Sequence, residues 1–404
     1  MPAFRREDLP LYLTGAAAVC CVVSIAALEI LMGLAVVAMI ATRHTWRLPP
    51  IWLPFTIFVA GTLLSDAVSS HVRQGYPQIK KFYVYLMLFL VISAFRNVRQ
   101  VRWLGVGWAL AASLSSLWAL EQFARKYLTA QAARRDFYNA YVADRVTGFM
   151  GHWMTFSGEM MIALLIIGAV VFFSTDRRWT MWLIAAGTLI TIALLVAYTR
   201  SMLGATAAGG IYLIWFWRKW LVLAVPALAG VLLLTNPFHL GERIESIFVP
   251  HGDLDSNAHR AMCRAIGYQM IQAHPWLGIG PEQVQYQYLN YLPPGTTLPL
   301  PTGDYGHLHN DYIHYAAELG IPTMLAMMWM YAQAFFDFAR ALRRLPSGAA
   351  QRWVLHAAIA TIIGVMIAGF YEKNLGDSEV LSMFLAVIGC GYVAVYEVND
   401  ECKV

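Results

Sequence analysis

The segment from Gly306 to His314 reads Gly-His-Leu-His-Asn-Asp-Tyr-Ile-His and runs directly into an apolar stretch that begins near Tyr315. Three imidazoles at a boundary between water and lipid could move protons or hold a metal. Asn310 is suited to cap a helix, and Asp311 supplies the acidic first turn that the helix dipole favours. Gly320 offers the left-handed residue that closes such a helix, Pro322 follows, and a further helix from about Met324 would complete the crossing. His309 then stands at the N-terminal edge, where the positive end of the dipole favours a neutral ring able to accept a proton. A hydrogen-bonded structural histidine is the alternative reading. The set His307, His309, Asp311 and His314 contains metal-ligand types, but its spacing does not gather them on one helix face. No cysteine or second carboxylate cluster accompanies them, so no metal is expected.

Arginines form the second group. Arg260 and Arg264 are four residues apart and neighbours on one face of a candidate helix, an arrangement that repels unless an anion or solvent faces it. Arg200 sits in Tyr198-Thr199-Arg200-Ser201, a very short turn between two apolar stretches, where a cation anchors the hairpin or meets a lipid-linked phosphate. Arg145 begins Arg-Val-Thr-Gly-Phe-Met-Gly-His, whose glycines allow close backbone approach. Glu29, Asp66, Glu121, Glu159 and Glu372 fall near the ends of apolar stretches and read as interface-exposed carboxylates.

The elements that must position these residues are membrane spans. Of the 404 residues 59% are hydrophobic and only 13% charged, outside the range of ordinary soluble domains. Apolar stretches at 11–27, 30–42, 51–69, 82–95, 104–123, 153–173, 180–198, 202–217, 220–235, 315–339, 353–371 and 379–396 make about twelve spans. The chain thus reads as an all-α polytopic protein: spans one to nine over 1–235, a large polar loop over 236–314, and the last three spans and a tail over 315–404. An even number of spans puts both termini on one side. The denser Lys and Arg of the N-terminus and even-numbered turns, Arg177, Arg178, Arg218, Lys219, Arg343 and Arg344 among them, put that side in the cytoplasm. The large loop and the candidate site then face outward. Within the loop, Ala258–Ala273 reads as a helix with Asn257 or Ser256 as N-cap, stopped by His274-Pro275. The five cysteines imply no disulfide framework and no metal site.

These segments resemble the O-antigen ligase and polymerase superfamily. His309-Asn310, nine residues, then Gly320 and Thr323 is similar to the ligase signature of His-Asn, nine variable positions, Gly, two positions, and Gly, Thr or Tyr. His274-Pro275-Trp276-Leu277-Gly278-Ile279-Gly280-Pro281 resembles the family's His-Pro-x-x-Gly-x-Gly-Pro stretch, Thr199-Arg200 its Ser-Arg pair, and Arg145 through Gly151 its Arg-x-x-Gly segment. The resemblance implies a membrane-embedded glycosyltransferase of the GT-C type in a bacterial inner membrane, acting in lipopolysaccharide biosynthesis on the periplasmic side. It implies transfer of a glycan from undecaprenyl diphosphate to lipid A-core, with inversion and with neither metal nor nucleotide cofactor. His309 would be the general base, Arg145, Arg200, Arg260 and Arg264 the diphosphate ligands, and Asn310, Gly278, Gly280 and Gly320 supporting residues. Many relatives carry an aromatic residue where this chain has Arg264, so Arg260 and Arg264 both stand as the family's arginine.

An O-antigen polymerase would use the same donor and extend another lipid-linked glycan. A protein O-oligosaccharyltransferase fits less well with a chain that ends at Val404, soon after its last span. A lipid-linked sugar transporter would carry its polar residues in broken helices at mid-membrane, whereas here they collect at one rim. Besides membrane lipids, the expected partners are donor and acceptor; nucleic acid is not among them. Because arginines would do the electrostatic work of a metal, transfer is expected to proceed unchanged in excess EDTA. Loss of transfer in EDTA, restored by one specific divalent ion, would contradict the reading of the histidines as non-ligands.

Overall fold

The computed structural model describes residues 5–236, 241 and 257–401, and among these every regular element is helical. In chain order they are α1 (Leu9–Cys20), α2 (Ile25–Ala41), α3 (Trp52–Val68), α4 (Tyr76–Lys80), α5 (Leu86–Ala94) and α6 (Val98–Ala132). Next come α7 (Phe137–Ala143), α8 (Trp153–Phe173), α9 (Thr180–Val196), α10 (Arg200–Arg218) and α11 (Ala224–Thr235). The remainder are α12 (Asn257–Ala273), α13 (Val284–Gln287), α14 (Asp311–Leu319), α15 (Ile321–Arg344), α16 (Arg352–Ala368) and α17 (Ser378–Glu401).

Among the described residues, five helical stretches are long and apolar enough to cross a membrane: Val72–Ala94, Val98–Ala132, Trp153–Phe173, Arg200–Ala227 and Ser378–Asp400. Four shorter apolar helices, α2, α3, α9 and α16, accompany them. The outward face of α2 is as apolar as its buried one. On α2, Ile30, Leu34, Val37 and Ile40 all lie exposed on one stripe while Leu28, Met32, Ala35 and Met39 are buried. An apolar stripe of that kind outside an already packed core belongs in hydrocarbon, not in water.

Boundaries depart from the sequence reading in several places. The expected span 11–27 is cut at residues 21–24, where Ser24 caps α2 by accepting the Ala27 N–H. Hydropathy cannot register that break because both flanking helices are apolar. The expected span 104–123 grows into α6, 35 residues or about 52 Å long, well beyond a hydrocarbon core of about 30 Å. Ser256 lies outside the described residues. Asn257 is the first residue of α12, and its side chain accepts from Arg200.

At the centre, α16 packs against α8, α10, α15 and α17, and nearly all of its residues are buried. This core presents the turn after α16 to the α14–α15 pair. Asn310 caps α14 by accepting the Ile313 N–H at 2.9 Å, and its Nδ2 donates to the Phe370 carbonyl at 2.9 Å. The Asp311 N–H bonds the Gly369 carbonyl at 2.7 Å, and the Tyr315 hydroxyl donates to the Leu375 carbonyl. The start of α14 is thereby stitched to the segment that carries Glu372.

The other end of α14 is held mainly through its backbone. Its last carbonyls would be orphans in a buried site. The Ile279 N–H bonds Ala317 O and the Gly280 N–H bonds Glu318 O, each at 2.9 Å, while Ser65 Oγ of α3 also donates to Glu318 O. Gly278 has φ +67°, and a Cβ there would lie 2.2 Å from backbone atoms of Glu318. Gly280 has φ +105°. Gly320 was expected in the left-handed helical region; it takes φ +84° and ψ 157°, an extended conformation open essentially to glycine. Its absent side chain lets it pass the Trp276 carbonyl, 2.1 Å from where a Cβ would stand. The next helix therefore starts at Ile321, earlier than Met324, with Pro322 tolerated in its first turn.

Replacing Gly320 by Ala should cost on the order of 1–3 kcal/mol from the backbone conformation, with the overlap on Trp276 added. Thermal unfolding in detergent should fall by several degrees, roughly. An unchanged midpoint would show that the contact between residues 275–280 and α14 is not tight.

Candidate active site

His309 precedes the α14 cap and has φ +46°, a left-handed backbone that is uncommon for a side-chain-bearing residue. The ring is buried. His309 Nδ1 lies 3.3 Å from Glu372 Oε2. The other carboxylate oxygen, Glu372 Oε1, accepts from Arg260 at 2.5 Å and from Ser201 Oγ at 3.2 Å. Glu372 is 2% exposed, so these three donors are its environment. Burial on its own would raise the Glu372 pKa; the Arg260 guanidinium and the His309 hydrogen bond overcome that and hold it down, at about 2. The Arg260 Nε is buried with no acceptor among the described residues.

Each donor is fixed by its own element. Arg260 is on α12, whose Cys263, Ile266 and Met270 pack with Ile279, Val284, Leu308, Ile313 and Ala317 into a small core separate from the main one. Ser201 and Arg200 form the first turn of α10, reached through Tyr198 at φ +54°. Arg200 donates to Asn257 Oδ1 at 2.8 Å. Arg145 donates to the carbonyls of Val142 and Tyr198, and its guanidinium lies 4.4 Å from the Trp153 ring centre, a cation–π contact. Its loop is clamped by Gln122, which accepts the Thr147 and Gly148 N–H groups and donates to the Gly148 carbonyl. Gly148 has φ +57° and packs where a Cβ would overlap Phe156 and Ser115.

These residues line one cavity of about 340 Å³, with Arg145, Arg200, Arg260, His152, His259, His307, His309, Asp304 and Glu372 on its wall. The volume falls within the usual span for small-molecule sites, about 300–1,000 Å³. His307 and His259 pack on His309 with ring centres 4.3 and 5.3 Å away. Burial lowers the pKa of both, that of His307 to about 2, with His309 adding to the effect. His307 is then neutral, and its 3.8 Å contact with Asp304 is not an ion pair. A larger groove of about 760 Å³ runs between α1 and α6, lined by Leu11, Tyr12, Val19, Phe95, Trp103 and Leu104. It gathers no cations or histidines, so size does not select the site.

Residues 185–328 match the O-antigen ligase family model. The matched segment contains Arg200, Arg260, Arg264, Gly278, Gly280, His309, Asn310 and Gly320; Arg145 and Glu372 lie outside it. No curated protein matches the chain.

Of the residues singled out in sequence, Arg145, Arg200, Arg260 and His309 line the cavity, and Gly278, Gly280, Gly320 and Asn310 set the position of α14. Arg264, one turn along α12 from Arg260, is not among the described residues on the cavity wall. Reading the carboxylates as interface-exposed is corrected for Glu372, Glu159 and Asp66, which are 2%, 0% and 5% exposed. The packed turn after α16 encloses Glu372. Its only sequence signal is position, directly after an apolar stretch and beside Lys373. Ser201 and His259 carried no signal of their own beyond standing next to arginines.

A carboxylate held low in the fold contributes stability above its unfolded value of 4.5 and loses it as pH falls toward about 2. The melting-temperature gap between the parent and Glu372→Gln should stay constant at about pH 6 to 8 and narrow below about pH 5. A gap that widens with acid would contradict the Arg260–Glu372–His309 assignment.

Proposed function

We propose that this chain transfers a glycan from undecaprenyl diphosphate to a lipid A-core acceptor, as an O-antigen ligase of the inner membrane with its site on the periplasmic side. The observation that carries this reading is a single cavity lined by three arginines together with a buried histidine whose Nδ1 is already engaged. The O-antigen ligase family match over residues 185–328 supports it.

In the proposed step the acceptor sugar hydroxyl gives its proton to His309 Nε2 as its oxygen bonds the anomeric carbon of the donor. The bond from that carbon to the diphosphate oxygen breaks, and the electron pair leaves with the diphosphate. Arg145, Arg200 and Arg260 answer the charge that grows on the leaving group, preorganised donors being most effective where charge develops. The unpartnered Arg260 Nε–H supports this role, since a phosphate oxygen would satisfy it. Attack from the face opposite the leaving group inverts the anomeric centre.

The test is transfer by purified protein from a polyprenyl-diphosphate glycan to lipid A-core. His309→Ala should lower the rate by about 10²-fold or more, the usual contribution of a general base. Arg200→Lys and Arg260→Lys keep charge but lose the planar fork, and should lose most activity at normal membrane levels. Arg264→Lys should be tolerated. Parental turnover by His309→Ala, or by both Arg200→Lys and Arg260→Lys, would contradict the proposal, and preference for a second lipid-linked glycan over lipid A-core would identify a polymerase.

A further inference from the structure

Among the described residues, Glu372 is the one carboxylate that touches both the base and a diphosphate arginine, and the reaction proposed above gives it no chemical step. Its two oxygens are divided between them: Oε2 faces His309 Nδ1 at 3.3 Å, and Oε1 takes Arg260 at 2.5 Å and Ser201 at 3.2 Å. An imidazole whose Nδ1–H is given to a carboxylate is fixed in one tautomer, with Nε2 left as the acceptor. The backbone of His309 is held in an unfavourable left-handed conformation, and strain of that kind persists only where the surroundings enforce it. Here the enforcement comes from Asn310 and Asp311, which bond the Phe370 and Gly369 carbonyls just before Glu372. The partner and the strained residue are thus held by the same short stretch of chain.

Resting on the reading of His309 as general base, we propose that Glu372 is its positioning residue. The carboxylate holds His309 in the Nδ1–H tautomer, aims Nε2 into the cavity, and ties the base to Arg260. When the donor diphosphate takes up Arg260, the shared carboxylate retains His309 in place, so that donor binding and proton abstraction are set in register. Glu372 makes no bond to substrate in this scheme.

The experiment compares kcat and donor KM of the full-length purified protein for Glu372→Gln, Glu372→Asp, His309→Ala and the double variant His309→Ala/Glu372→Gln. Glutamine keeps the shape and can still accept from Ser201, but it removes the charge that holds the tautomer. The Gln variant should lose on the order of 10²-fold in kcat with donor KM changed less than about threefold, the pattern of an interaction made for the transition state. Glu372→Asp should recover part of that loss. In the His309→Ala background, Glu372→Gln should cause no further loss, because residues acting through one another are non-additive. A parental kcat for Glu372→Gln, with His309→Ala inactive, overturns the positioning role and leaves the base intact. Additive losses in the double variant, or a loss confined to KM, make Glu372 a structural support and overturn it equally. Activity retained by His309→Ala strikes the base reading itself, a separate failure. Should the Gln variant not reach the membrane, Glu372→Asp carries the test: parental kcat there would also contradict the proposal.

Discussion

A carboxylate removed from water must be met by cations and donors, and the functional end of this protein is organised around that demand at Glu372. Breaking a buried charge pair by removing one partner typically costs about 3–5 kcal/mol. Arg260, His309 and Ser201 come to Glu372 from α12, the cap of α14 and the first turn of α10, three elements far apart in sequence. Meeting one buried charge therefore fixes the relative placement of all three. The same contacts leave Arg260 Nε buried without an acceptor among the described residues.

The backbone makes this placement rigid. The nine-residue α14 is too short to cross a bilayer, and it is held at both ends by hydrogen bonds to chain segments that are themselves anchored in the helical core. Glycines at 278 and 320 are needed because residues 276–278 and the end of α14 approach more closely than any Cβ permits, and a Cβ at Gly280 would overlap Ser69. These glycines decide where α14 ends and α15 starts, while Asn310 and Asp311 fix where α14 begins.

Much of this was legible in the residues themselves. Asn310 and Asp311 mark a helix start, Gly320 and Pro322 mark its end, and His274-Pro275 stops α12 at Ala273. Arg145, Arg200, Arg260 and His309, singled out in the sequence, line one cavity, and Arg264, singled out with them, is not on its described wall. Glu372 was not legible, since a charged residue directly after an apolar stretch looks the same whether it faces headgroups or folds inward. Its partner His309 lies 63 positions away. Arg260 and Arg264 could not be told apart by spacing either. Only the packing of Cys263, Ile266 and Met270 decides which side of α12 meets the cavity. Where two apolar helices abut, as α1 and α2 do, hydropathy has no contrast from which to read the boundary.

The stereochemistry of the transferred sugar tests the central claim most directly. A base that activates the acceptor for direct displacement of a diphosphate gives one inversion, whereas a carboxylate attacking the donor first gives two and a retained configuration, as in the two classes of glycoside-cleaving enzymes. Among the described residues, Glu372 is the buried carboxylate on the cavity wall that could play the second part. NMR of the anomeric proton and carbon in the ligated product, compared with the same sugar in the donor, distinguishes the two. Inversion is expected, with Glu372 holding His309 and never bonded to sugar. Retention would contradict it and make Glu372 a nucleophile.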